Sequence, residues 1–116
     1  MRIIEAALSD RGSKYAVSGG PCESAEAAKD FLKTLCRNKK FAKATHNTWA
    51  VILPDGTPLK GDDGEAGAGM VILRMLEREE RLGEIVVVTR WFGGTKLGGD
   101  RFRRVQDCVR LWLDGG

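Results

Sequence analysis

Three carboxylates fall within four positions at Asp62-Asp63-Gly64-Glu65, in a chain whose single histidine is His46. Carboxylates at that density can hold a magnesium ion and an imidazole can serve as a general base, so one reading is a small metal-dependent hydrolase. The competing reading is that the carboxylates precede a helix, where anions accept from the free N–H groups of the first turn and favour its dipole. Gly64, Gly67 and Gly69 allow the tight backbone that either reading needs. His46 stands beside Asn47 and close to Trp49, with no nucleophile placed for it to activate, which favours a hydrogen-bonded structural role. Capping is preferred over metal catalysis. No catalytic residue, metal or cofactor is assigned.

The second candidate is the run Arg90-Trp91-Phe92-Gly93-Gly94-Thr95-Lys96-Leu97-Gly98-Gly99-Asp100-Arg101. Glycines leading into a helix can present backbone N–H groups to a phosphate. The order Thr95-Lys96-Leu97 fails the Walker A pattern, which needs Ser or Thr after Lys, and no G-x-G-x-x-G is present. Arg101, Arg103 and Arg104 crowd the first turn of the following helix, where cations oppose the dipole by roughly 0.3–1 kcal/mol each when exposed. Asp107 lies within reach of Arg103 and Arg104 along that helix. A docked anion or an acidic partner would make the arrangement favourable. Arg90, Gly93, Gly94, Lys96, Gly98, Arg101, Arg103 and Arg104 are therefore expected to form a basic surface that contacts RNA phosphates or an acidic protein. The structural rival is a bridge from Arg90 or Arg101 back to Asp62, Asp63 or Glu65. Trp91 and Phe92 are expected to anchor the loop or core, because base-stacking platforms usually lie exposed on strands.

The elements that must position these groups follow from patterning. Residues 2–8 and Lys14–Ser18 predict two strands around the turn Asp10-Arg11-Gly12. Ser24 is a plausible N-cap, and Ala28, Phe31, Leu32, Leu35 and Cys36 repeat at helical spacing. Thr45–Leu53 is rich in β-branched and aromatic residues and ends at Pro54-Asp55-Gly56, with Pro58–Gly61 completing a hairpin. Gly67–Leu82 predicts a helix with Ile72, Leu73, Met75 and Leu76 inward, a Glu77–Arg81 pair, and Gly83 closing it in the left-handed conformation. Glu84–Arg90 predicts a buried strand, and a last helix from Asp100 turns Phe102, Val105, Val109 and Trp112 inward. This order implies an α+β fold, a two-layer α/β sandwich with a mixed or antiparallel sheet and its helices on one face.

The 116 residues suit one domain, 1–116, with a core of its own. No apolar run approaches the ~20 residues of a membrane span, and the first ten residues lack a signal-peptide core, so no membrane partner is expected. Cys22, Cys36 and Cys108 form no C-x-x-C pair, which suits a reducing compartment. The net charge of +3 is unevenly placed. Residues 90–116 carry six basic against three acidic residues, while 55–65 carry four acidic against one basic, which implies an acidic loop and a basic element.

Taken in order, four stretches resemble the ancient domain of the IMPACT family of translation regulators. They are Asn38-Lys39-Lys40 with Ala44-Thr45-His46-Asn47, Asp62-Asp63-Gly64-Glu65, Arg90-Trp91-Phe92-Gly93-Gly94, and Gly98 with Asp100-Arg101-Phe102. The likeness runs from about Gly12 to Leu113, and Asp100-Arg101-Phe102 looks like the eukaryotic branch rather than the bacterial YigZ-like one. The resemblance implies a fold similar to the second domain of ribosomal protein S5. It also implies a non-enzymatic, cytoplasmic role: restraint of the amino-acid-starvation kinase that phosphorylates initiation factor 2, by competition for that kinase's ribosome-associated activator. Ribosomes and monomeric actin are further implied partners. Eukaryotic members carry an N-terminal RWD domain and bacterial members a C-terminal elongation-factor-like one, and neither is expected within 1–116. A general RNA-binding module is the remaining alternative.

Overall fold

The computed structural model describes residues 1–115. Five strands form one sheet in the order β1-β2-β5-β3-β4, every pair antiparallel: β1 (Arg2–Asp10), β2 (Ser13–Pro21), β3 (His46–Ile52), β4 (Pro58–Gly61) and β5 (Glu84–Trp91). Four helices accompany it: α1 (Ala25–Leu35), α2 (Lys39–Ala42), α3 (Ala68–Arg78) and α4 (Asp100–Leu113). The α+β class with an antiparallel sheet is as the sequence implies.

The placement of every helix on one face is corrected. Side chains alternate along a strand, so neighbouring residues serve opposite faces. Tyr15, Val17, Ala50, Ile52, Val86 and Val88 point to one side and pack on Ile72 and Leu76 of α3 and on Val105, Val109 and Trp112 of α4. Ala16, Val51, Ile85 and Val87 point to the other, where Ala28 and Leu35 of α1 and Phe41 of α2 cover them. Strand β5 is buried from Ile85 to Arg90 because it has a core on each side.

Local chemistry sets the boundaries. Ser24 caps α1, its hydroxyl accepting from the Ala27 N–H at 3.0 Å. The short helix α2, absent from the sequence prediction, begins at Asn38, whose side-chain oxygen accepts from the Lys40 N–H at 2.9 Å. Helix α3 ends at Arg78, earlier than predicted, and Glu80 rather than Gly83 takes the left-handed position. The Arg81 N–H then returns to the Leu76 carbonyl at 2.9 Å, while its guanidinium pairs with Glu84 at 3.4 Å instead of Glu77. Gly83 is also left-handed, but it serves the turn into β5.

Candidate functional site

Three segments meet where β3 begins. Register places His46 opposite Arg90 of β5. The Thr45 N–H donates to the Arg90 carbonyl at 2.9 Å, and the Phe92 N–H donates to the Thr45 hydroxyl at 2.9 Å. Residues 45–47 are thus held between the glycine loop 92–99 and the acidic loop 62–65. His46 Nδ1 lies 2.8 Å from the Asp63 carbonyl, a group that only accepts, so Nδ1 carries a proton. Its Nε2 lies 3.7 Å from Glu65 Oε2.

Each carboxylate of the acidic loop has a structural partner. Asp62 accepts from the Gly67 N–H at 3.1 Å and the Gly69 N–H at 2.8 Å, capping α3 by reaching past Gly67, which has no side chain to do so. Those two bonds hold the Asp62 carboxyl below the usual carboxylate range. Asp63 accepts from the Asn47 N–H at 2.6 Å, and the Asn47 side chain accepts from Thr89 at 2.7 Å and donates to the Phe41 carbonyl at 3.0 Å. Glu65, only 4% exposed, pairs with Arg90, only 6% exposed, at 3.2 Å. Arg90 also donates to the Ser13 hydroxyl, at 3.4 and 3.3 Å. The expectation of Arg90 on an open basic surface is therefore corrected: it is the buried half of a clamp between the two loops. Among the described residues no three His, Cys, Asp or Glu side chains gather so as to hold a metal ion.

The glycine loop is pinned at both ends. Gly93 lies so close to Gly12 that an added Cβ would collide with the Gly12 carbonyl and the Ser13 nitrogen, and Leu97 is buried in the core. Backbone donors at the start of α4 are spent internally. The N–H groups of Asp100, Arg101 and Phe102 return to the carbonyls of Leu97, Gly98 and Gly99 at 3.1, 3.3 and 3.2 Å, so these three are not free to cradle a phosphate. Arg104 turns to Asp107 at 3.1 Å and Asp10 at 3.8 Å. Arg11 joins Asp10 at 3.0 Å to Asp100 at 2.7 Å. Arg103 and Gly94 face solvent.

What the loop does line is a cleft of about 450 Å³, walled by Lys96, Leu97 and Gly98 on one side and by Thr45, His46 and Arg90 on the other. Phe92 and Arg101 complete it. Lys96 and Arg101 make no ion pair among the described residues, and the buried Nε of Arg101 has no hydrogen-bond partner. The sequence reading missed Thr45 and Phe92 as site residues. Trp91 is an anchor as expected, its ring 5.4 Å from Phe41 and its Nε1 donating to the Lys40 carbonyl at 3.0 Å. Phe92 is not: it is 47% exposed at the cleft.

Residues 11–113 match the Impact N-terminal domain family. The chain belongs to this family. Protein IMPACT of Rattus norvegicus is 36% identical over 114 residues, covering 90% of the chain and 35% of that protein. Protein IMPACT of Homo sapiens is 37% identical over 108 residues, covering 89% of the chain and 34% of that protein. The chain thus spans about a third of the length of these relatives. Among solved structures, the two-domain translational regulator Yih1 superposes with a TM-score of 0.57 at 34% identity, covering 91% of the chain and 43% of Yih1. A hypothetical protein superposes with a TM-score of 0.81 at 23% identity, covering 97% of the chain and 59% of that protein, and shows the shared fold. Motif residues of this Impact N-terminal domain thus form the two loops and the clamp that joins them, and others line the cleft between the glycine loop and the start of β3.

Proposed function

We propose that the chain is a non-enzymatic module of translational control that works through contacts with the ribosome or a regulator bound to it. The carrying observation is the cleft: two cations without ion-pair partners, Lys96 and Arg101, with Arg103 exposed elsewhere on the first turn of α4, in a domain similar to part of a translational regulator. The acidic loop supports binding over catalysis, because Asp62, Asp63 and Glu65 are committed to a helix cap, a strand N–H and a buried guanidinium. In this reading the chain acts in the cytoplasm and restrains the amino-acid-starvation kinase acting on initiation factor 2. It does so by competing for the kinase's ribosome-associated activator, with monomeric actin as a further partner.

Co-sedimentation with ribosomes at low and physiological salt tests the reading. The chain is expected in the ribosomal pellet, and a Lys96→Ala/Arg101→Ala/Arg103→Ala variant in the supernatant. Wild-type chain wholly in the free fraction at both salts overturns it.

A further inference from the structure

One exposed phenylalanine is ordinary on a protein surface, and so is an unpaired lysine. Here they share a cleft. Phe92 is the one aromatic side chain in the exposed class among the described residues, and it lines the same walls as Lys96 and Arg101. Its backbone is fixed by the Thr45 hydroxyl at 2.9 Å, so the ring is presented from the end of β5 rather than from a free loop.

Three side chains of the cleft offer uncommitted donors. Lys96 contributes an ammonium, Arg101 a guanidinium with an unpartnered Nε, and Thr45 a hydroxyl proton left over once its oxygen has accepted from Phe92. Such a set suits a ligand group that only accepts and carries negative charge, as phosphate and carboxylate both do. The aromatic face beside it suits a flat ring. At about 450 Å³ the cleft falls within the roughly 300–1,000 Å³ of small-ligand sites. A peptide offering carboxylates alone would use the cations and leave the ring without a role. A phosphate and a base together use both.

We propose that this cleft seats one nucleotide of a single-stranded RNA, its base against Phe92 and its phosphate between Lys96 and Arg101. The choice of RNA over a free nucleotide rests on the translational reading above. Stacking of this kind tolerates sequence, because every base has a π-face, and it excludes a paired base inside a duplex.

Fluorescence anisotropy with a labelled single-stranded RNA of about ten nucleotides, its DNA counterpart, its duplex, adenosine monophosphate and polyglutamate tests the proposal. Single-stranded RNA is expected to bind more tightly than duplex, adenosine monophosphate or polyglutamate. Phe92→Ala and Phe92→Leu should each weaken it about 5- to 150-fold without changing the salt slope, and Phe92→Trp should keep it. Lys96→Ala/Arg101→Ala should weaken it and flatten the slope of log affinity against log salt by about 0.7 for each phosphate no longer neutralised. Single-stranded DNA at lower affinity supports RNA as the ligand, whereas equal or tighter DNA binding overturns that choice. Unchanged binding in Phe92→Ala, or equal binding of polyglutamate or adenosine monophosphate, overturns the proposal. If the RNA fails to bind while ribosome co-sedimentation persists, the nucleotide site is wrong and the translational reading stands. Failure of both removes both.

Discussion

At the scale of single residues, the buried pair Arg90–Glu65 decides how the motif loops hold together. Both side chains are almost fully withdrawn from water, and Ser13 takes up two further donors of the guanidinium. Removing one partner of a buried pair leaves the other charge uncompensated, which costs about 3–5 kcal/mol, whereas replacing both with apolar groups is often neutral or stabilising. Glu65→Ala should therefore lower stability by roughly that amount in urea titration. Glu65→Leu/Arg90→Met should recover most of the loss; a double-variant loss equal to the sum of the losses of Glu65→Leu and Arg90→Met alone would show that the pair is not coupled. Asp62 offers a second measurement. Its folded-state carboxyl lies below the ordinary value of 3.8 because the Gly67 and Gly69 N–H groups favour the charged form. A depressed carboxyl contributes stability that is fully present above its unfolded value and is lost as pH falls through the folded one. Wild type should thus lose more stability than Asp62→Asn on acidification from about pH 4 to about pH 2, and parallel losses would refute the cap.

At the scale of elements, the glycine loop is positioned by contact rather than by flexibility. An alanine at 93 would drive its Cβ into the Gly12 backbone, which cannot yield as a side chain can. Gly93→Ala should cost over about 2 kcal/mol, a size reserved for such named clashes. Gly99 has φ −64° and open space at its Cβ, so Gly99→Ala should be neutral or stabilise by about 0.4–1 kcal/mol through the unfolded chain. Thermal melts of the two variants compare them directly, and similar melting temperatures would place the anchor elsewhere. The strands were legible because β-branched runs and Pro54-Asp55-Gly56 mark them, and Pro58–Gly61 matches residue for residue. Helix α2 was not, because four residues carry no periodicity and only the Asn38 cap betrays it. The second covered face was visible in Ile85-Val86-Val87-Val88, an unbroken apolar run that asks for burial on both sides, but helical stripes alone do not say which face they choose. The two charge clusters were equally visible, yet charge counts cannot show that Glu65 meets Arg90, or that Phe92 turns outward while Trp91 turns in.

At the scale of the whole molecule, two cores sit back to back on β2, β3 and β5, and each contains one buried cysteine. Cys108 lies in the core under α3 and α4, where burial pushes its thiol up to about 12. Cys22 lies in the core under α1 and α2, its thiol also raised by burial. Thiolate is the reactive form, so both should resist alkylation until the surrounding core opens. The cores share their strands: Val86 and Val88 belong to one, Ile85 and Val87 to the other. Opening either face leaves the same backbone without half its packing, which predicts one cooperative unit rather than two. Labelling across a urea titration, with Cys36 replaced by serine, should expose Cys22 and Cys108 at the same midpoint and with the same denaturant dependence. Earlier exposure of Cys22 would mean that α1 and α2 detach as a separate unit, leaving the sheet and the cleft standing on the larger core alone.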